Sequence, residues 1–180
     1  MRSGDAGCEL IECAVAVALQ LLDRELRVVL AESCTAGNVA ASLACIPGIS
    51  RCLCGSFVVY RCDSKSRWLS VPELMLDNSV DGPVSERVTQ QMAWNALRLT
   101  PEADISIAVT GELGPGVVPV SKDGLVYISI ADASGIRITE DYRLKLPTPG
   151  SQTDFIQRKA RRDEATQLVL RRLGKYLIEN

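Results

Sequence analysis

Apolar and polar positions along the chain follow two periods, one typical of amphipathic helices and one typical of short buried strands. Apolar residues recur at helical spacing in 8–26, in 85–99 and in a long terminal segment, 153–178. Between them lie apolar runs of strand length, at 27–31, 53–60 and 104–109. Shorter helical segments are predicted at 35–45, at 63–69 and in a turn that Pro72 begins.

The last third of the sequence predicts a hairpin followed by a helix. Segments 124–131 and 136–144 have strand patterns, and Asp132-Ala133-Ser134-Gly135 between them is typical of a hairpin turn, with a loop at 147–151 afterwards. Helices and strands in alternation, followed by a hairpin, indicate an α/β fold. We expect an α/β/α layered domain with a mixed, mostly parallel sheet and a long C-terminal helix. The length of 180 residues favours a single domain, 1–180.

The turn between the first strand and the second helix, Glu32 to Gly37, carries candidate chemistry. Ser33 and Thr35 are helix-capping residues, because their hydroxyls accept hydrogen bonds from first-turn amides. A hydroxyl at that position can also serve as a nucleophile or bind an anion. Cys34 competes with Ser33, since the pKa of a thiol falls at a helix N-terminus. The pattern alone favours an ordinary capped helix over a catalytic turn.

Composition and charge exclude several classes of function. The formal net charge is −2, so no overall positive field attracts nucleic acid or an anionic membrane. No apolar run approaches the ~20 residues that span a bilayer, and the N-terminal segment lacks the pattern of a signal peptide. We expect a cytoplasmic protein with neither a nucleic-acid nor a membrane partner.

The absence of histidine restricts the catalytic chemistry. The sequence contains no histidine, so Ser-His-Asp and Cys-His mechanisms are excluded. The base of a serine hydrolase must then be lysine, tyrosine or a carboxylate. A lysine can serve only if its pKa is lowered. No two of the seven cysteines form a C-x-x-C pair, which argues against a zinc site. Their odd number argues against a disulfide framework. We expect no metal and no bound cofactor.

Three predicted strand ends carry polar side chains that can converge. Ser33 follows the strand 27–31, Thr110 follows the strand 104–109, and Tyr60 ends the strand 53–60 with Lys65 shortly after it. Ligands of open α/β sheets bind outside the carboxyl ends of the strands. These residues therefore predict one crevice.

Five motifs in this order resemble the CinA C-terminal domain family. They are A-E-S-C-T-A-G, I-P-G-I-S, V-V-Y followed by Lys65, P-V-S-E-R-V, and A-V-T-G-x-x-G-P-G, and the resemblance extends from about Cys8 to Leu173. It implies a nicotinamide-nucleotide amidase, which hydrolyses nicotinamide mononucleotide to nicotinic acid mononucleotide and ammonia. It also implies a small-molecule nucleotide as partner and a homo-oligomeric state.

The resemblance implies a role for each matching position. Ser33 matches the nucleophile, Lys65 the general base, and Tyr60 and Thr110 the residues that complete the proton network. Arg158 and Arg162 match two arginines of the final helix, with Arg162 the better match for the one in the active site and Arg161 an alternative. The implied substrate-binding residues are Thr35, Gly37, Gly111, Gly114, Gly116 and Arg162.

The sequence departs from the family pattern in the loop 117–124, which is about one residue shorter, and at several single positions: Ala36, Cys62, Asp63, Glu112 and Leu113. Ala36 adds a methyl group, and Glu112 places a carboxylate where small apolar residues are usual. Beside a phosphate, that carboxylate is repulsive unless it points away or pairs with an arginine. A second hypothesis therefore stays open, a divergent CinA-like nucleotide-binding or interaction domain without amidase activity.

Overall fold

The computed structural model describes residues 3–117, 119–145 and 154–180 and contains one five-stranded sheet. The strands are β1 (Val28–Glu32), β2 (Leu53–Val58), β3 (Ile105–Gly111), β4 (Leu125–Asp132) and β5 (Gly135–Arg143), in the order β2-β1-β3-β4-β5. β1 pairs in parallel with β2 and β3, and β4 pairs antiparallel with β3 and β5. Only β4 runs against the others, which confirms the mixed, mostly parallel sheet.

Helices cover both faces of the sheet, as the layered α/β/α prediction requires. They are α1 (Ser3–Asp23), α2 (Asn38–Ala44), α3 (Cys62–Leu69), α4 (Glu86–Leu99) and α5 (Asp154–Glu179). One core lies between the sheet and α1, α2 and α5, and the other between the sheet and α3 and α4. Every residue of β1 is buried because both of its faces are covered.

Alternation along the strands assigns side chains to the two cores. Leu30 and Ile107 pack in the first core, and their neighbours Val29, Ala31 and Ala108 pack in the second. Successive side chains of a strand point to opposite faces, so each buried strand supplies both cores. The predicted apolar runs are continuous for this reason.

Helix boundaries agree with the prediction for α4 and differ for α2. Ser85 caps α4 as predicted, its hydroxyl accepting from the Val88 amide at 3.3 Å. Helix α2 begins at Asn38, three residues later than predicted, because Ala36 (φ 53°) and Gly37 (φ 89°) adopt left-handed backbone conformations. The predicted loop 147–151 lies outside the described residues. Among the described helices, none is long and apolar enough to cross a membrane.

Candidate active site

A cavity of about 550 Å³ lies at the carboxyl ends of β1, β2 and β3, where the sequence predicts a crevice. Several predicted site residues line it, together with side chains from the loop before α4. The lining residues include six with reactive, polar or charged side chains: Ser33, Cys34, Tyr60, Lys65, Glu112 and Arg158. Strand ends and the start of α3 therefore bring the predicted nucleophile and the predicted base to one site.

Lys65 lies on the buried face of α3 and points into the protein. Its side chain is 2% exposed, and Nζ donates to the Pro83 carbonyl oxygen at 2.6 Å and to Thr110 Oγ1 at 3.0 Å. Thr110 Oγ1 in turn donates to the same Pro83 carbonyl at 3.1 Å. Thr110 thus fixes the amine, although it does not itself line the cavity.

Burial changes the acid–base behaviour of Lys65. Desolvation lowers the pKa of its amine from 10.5 to about 8, against the opposing effects of Cys62, Cys34 and Glu112. A lysine with this pKa is partly neutral near pH 7 and can accept a proton. This is the property that a base must have in a chain without histidine.

Ser33 occupies a turn whose backbone is fixed on both sides. Its amide donates to the Val109 carbonyl oxygen at 3.0 Å, and its own carbonyl accepts from the Ala36 amide at 3.1 Å. The side chain lines the cavity, and its hydroxyl makes no hydrogen bond within the described part of the chain. The hydroxyl is therefore available to a ligand.

Cys34, the competing nucleophile, lies beside Ser33 in a different electrostatic state. Burial raises the pKa of its thiol to about 12, with Lys65 acting in the opposite direction. The nucleophilic form of cysteine is the thiolate, which is scarce at such a pKa. The protonation state of the thiol therefore favours Ser33 as the nucleophile.

Glu32, a residue that the sequence analysis did not include among the site residues, organises the turn around Ser33. Its carboxylate is 1% exposed and accepts hydrogen bonds from the Thr35 hydroxyl at 2.8 Å and the Ser56 hydroxyl at 3.0 Å. It also accepts from the first amides of α2, those of Val39 at 3.1 Å and Ala40 at 3.0 Å. Strand β1, strand β2 and helix α2 are joined by this one side chain.

The expectation that Ser33 or Thr35 caps α2 is therefore wrong. Gly37 holds the cap position without a side-chain hydrogen bond, and Glu32 binds the first-turn amides instead. Thr35 is fully buried with its hydroxyl on Glu32 and lines neither cavity, so the structure does not bring this predicted substrate-binding residue to the site. An acidic residue directly after a buried strand was the available sequence signal.

The glycines of the predicted substrate site have different surroundings. Gly111 lines the cavity, and a Cβ there would lie 2.7 Å from Val126 Cγ2 and 2.9 Å from the Leu125 carbonyl oxygen. Gly114 has a left-handed backbone (φ 51°), and its carbonyl accepts from Arg158. Packing against β4 and contact with Arg158 explain these two positions. Gly37 (φ 89°) and Gly116 (φ 85°) have left-handed backbones. Of the four predicted glycines, Gly111 alone lines the main cavity, and none lines the smaller one.

The three candidate arginines in the first half of α5 have three different environments. Arg158 lines the main cavity and donates to the Tyr60 hydroxyl at 2.8 Å and to the Gly114 carbonyl at 2.9 Å. Arg161 is buried and binds Asp123 at 2.5 Å and the Leu113 carbonyl at 2.9 Å, so it holds the loop after β3.

Arg162 lines a neighbouring cavity of about 330 Å³, which also contacts Cys34, Ala36, Tyr60 and Arg158. Its Nε is buried without a hydrogen-bond partner among the described residues. Of the three candidate arginines of α5, Arg158 is the one that lines the main cavity, and the predicted Arg162 lies one helical turn away, beside the adjoining cavity.

No set of three or more His, Cys, Asp or Glu side chains is placed to hold a metal ion within residues 3–117, 119–145 and 154–180. Asp63, one of the departures from the family pattern, forms an exposed ion pair with Arg61 at 2.9 Å at the rim of the cavity.

Comparison with protein families matches residues 11–176 to the CinA C-terminal domain. A putative competence-damage inducible protein of Desulforudis audaxviator is 44% identical over 128 residues, which are 71% of this chain and 30% of that protein. A CinA-like protein of Mycobacterium marinum is 35% identical over 164 residues, 91% of this chain and 35% of that protein. The chain spans about a third of the length of these curated relatives.

Solved structures of the CinA superfamily share the fold. A CinA superfamily protein of Klebsiella pneumoniae is 28% identical with a TM-score of 0.82, and the match covers 95% of this chain and 99% of that one. The competence/damage inducible protein CihA of Agrobacterium tumefaciens is 30% identical with a TM-score of 0.77, over 92% and 93% of the two chains. Similarity therefore extends over nearly the whole chain.

Proposed function

The chain belongs to the CinA C-terminal domain family, and we propose that it is an amidohydrolase that converts nicotinamide mononucleotide to nicotinic acid mononucleotide and ammonia. The observation that carries the proposal is the buried Lys65, whose lowered pKa and hydrogen bond to Thr110 accompany an available serine hydroxyl in one cavity. Carboxamide hydrolysis needs a nucleophile, a proton donor for the leaving nitrogen and donors to the oxyanion. The site contains a candidate for each.

In the first half of the proposed reaction, Ser33 Oγ attacks the carboxamide carbon while neutral Lys65 accepts the hydroxyl proton. The developing oxyanion faces the backbone amides of the turn that follows Ser33, in which Cys34 lines the cavity. Lys65 then returns the proton to the nitrogen, the C–N bond breaks, ammonia leaves and an ester to Ser33 forms. Thr110 holds the amine of Lys65 in place, and the Tyr60 hydroxyl holds Arg158 at the cavity.

In the second half, water attacks the ester with Lys65 again as base, which releases the carboxylate product and restores Ser33. Lys65 acts as a base when it accepts a proton and as an acid when it returns that proton to the leaving group, so its pKa has to lie near the working pH. The value of about 8 for Lys65 meets that requirement.

The phosphate of the substrate fits the cationic end of the site. Arg158 lies between the main cavity and the smaller one, and Lys159 and Arg162 line the smaller one with it. Guanidinium groups bind phosphate with two parallel hydrogen bonds. A ligand with a neutral carboxamide at one end and an anion at the other matches this arrangement of charge.

A divergent binding domain without amidase activity is the second candidate. It is favoured by Ala36, whose methyl group lies at the smaller cavity where the phosphate is expected, and by the carboxylate of Glu112 in the main cavity. Such a protein would bind a nucleotide and release no ammonia.

Ammonia release from nicotinamide mononucleotide tests the proposal, with four proteins compared: wild type, Ser33→Ala, Lys65→Ala and Cys34→Ser. We expect wild type and Cys34→Ser to release one ammonia per nicotinic acid mononucleotide, and the other two variants to lose at least about 10³-fold in kcat. A folded wild type that releases no ammonia at micromolar enzyme would contradict the amidase. Loss of turnover in Cys34→Ser with retention in Ser33→Ala would assign the nucleophile to Cys34.

A further inference from the structure

The carboxylate of Glu112 has no role in the mechanism above, although it lies at the same cavity. Its backbone is held by two hydrogen bonds to the start of β4, from its own amide to the Leu125 carbonyl at 2.9 Å and from the Gly124 amide to its carbonyl at 2.8 Å. The residue lines the cavity with Ser33 and Lys65, and its charge acts on Lys65. The position of this carboxylate is therefore built into the fold.

The other charged groups that line the cavity have partners in the protein. Asp63 pairs with Arg61, Arg158 donates to Tyr60 and Gly114, and Lys65 donates to Thr110 and Pro83. For the Glu112 carboxylate, by contrast, no hydrogen-bond or ion-pair partner exists among the residues that the structure describes. The residue is half-buried, and its carboxylate oxygens remain accessible at the cavity. A positive charge on a bound ligand would give this carboxylate an ion-pair partner.

We propose that Glu112 is a specificity residue that binds the positively charged pyridinium ring of the substrate. This inference rests on the proposed function, because the ring carries the carboxamide that has to reach Ser33. The ring therefore lies in the cavity that Glu112 lines. Glu112 selects the oxidised nucleotide, whose ring is a cation, over the reduced dihydropyridine form, whose ring is neutral and of nearly the same shape.

Glu112 has a second effect once the reaction begins. When Lys65 accepts the Ser33 proton it becomes a cation beside the pyridinium ring, and two like charges in a partly desolvated cavity repel. The carboxylate lies close enough to Lys65 to stabilise its charged form. It therefore offsets this repulsion in the transition state as well as binding the ring in the ground state.

Equilibrium binding separates ring charge from every other property of the ligand. Dissociation constants of nicotinamide mononucleotide and of its 1,4-dihydro form are measured by calorimetry on Ser33→Ala, which prevents turnover, and on the same protein with Glu112→Gln. We expect Glu112→Gln to weaken binding of the oxidised form about tenfold and of the reduced form less than about twofold, as removal of one nearby charge predicts. Glu112→Asp keeps the charge and should keep the preference.

Asp63→Asn is the matched control, since it removes a carboxylate from the same cavity that is already paired with Arg61. It should change both dissociation constants less than about threefold and by the same factor. An equal effect of Glu112→Gln on both forms, or no effect, would overturn the inference while leaving the amidase intact if wild type releases ammonia. A parent protein that binds neither form would overturn both proposals.

Discussion

At the scale of single residues, Lys65 is buried at a cost in folding free energy, because its amine is largely charged at neutral pH. Its pKa is about 8 in the folded protein against an ordinary value of 10.5. This difference corresponds to a penalty of about 3 kcal/mol. The penalty is fully present below pH 8, shrinks as the pH rises from about 8 towards 10.5, and is absent above that range.

Lys65→Met should therefore stabilise the protein while abolishing turnover. Pro83 keeps a hydrogen-bond donor in this variant, because Thr110 also donates to its carbonyl. We expect the free energy of unfolding in urea to rise by about 1–3 kcal/mol at pH 7, and the gain to fall as the pH approaches 10.5. Lys175→Met, at an exposed ion pair, is the control and should change stability by less than about 0.5 kcal/mol. A destabilised Lys65→Met, or a gain independent of pH, would contradict this account of Lys65.

The pattern was sufficient to place Ser33, Lys65 and Thr110 near predicted strand ends, and the absence of histidine left few bases. Their catalytic roles came from the resemblance to the family, since the pattern alone favoured an ordinary capped helix. Glu32 was not identified, since an acidic residue after a strand reads as exposed until β2 and α2 are placed around it. The assignment among Arg158, Arg161 and Arg162 also depends on how α5 rotates against the sheet, and one residue of rotation decides which side chain faces the cavity.

At the scale of elements, the turn between β1 and α2 contains a backbone conformation that L-residues seldom adopt. Ala36 has φ 53° and lines the smaller cavity. The left-handed conformation costs a residue with a Cβ about 1–2 kcal/mol. The pattern of apolar and polar residues does not reveal a left-handed backbone conformation, and for this reason the start of α2 was predicted too early.

Ala36→Gly should relieve the strain and enlarge the smaller cavity. We expect a net stabilisation of about 0.5–1 kcal/mol, because the relief of backbone strain exceeds the entropy that glycine adds to the unfolded chain. Removal of the methyl group should lower KM for the mononucleotide if the phosphate occupies that cavity. Ser70→Gly is the matched control, because Ser70 has φ 52° at the end of α3, outside both cavities. It should gain stability with no change in KM, and a lowered KM in both variants would contradict the assignment of the cavity.

At the scale of the whole molecule, two cores share one sheet. The α/β class was predictable from the order of helical and strand patterns, but the strand order β2-β1-β3-β4-β5 was not, because it depends on pairing between residues far apart in the sequence. The strand β3 joins both cores, with Ile107 on one side and Ala108 on the other. Loss of either core would therefore expose the other.

We accordingly propose that the chain is a single domain and, as the family resemblance implies, a homo-oligomer. Far-ultraviolet circular dichroism and the fluorescence of Trp68 and Trp94 should report one coincident unfolding transition. Its midpoint should rise with protein concentration, because association stabilises the folded chain. Two separate transitions would contradict the single domain, and a midpoint independent of concentration would contradict the oligomer.

The central claim is that a buried, partly neutral Lys65 activates Ser33 for hydrolysis of a carboxamide. The most direct measurement is the pH dependence of kcat/KM for ammonia release from nicotinamide mononucleotide, from about pH 6 to about pH 10. We predict a rise of about tenfold per pH unit at low pH that levels off near the pKa of Lys65, about 8. A flat profile from neutral to alkaline pH, with chemistry shown to be rate-limiting, would contradict the claim.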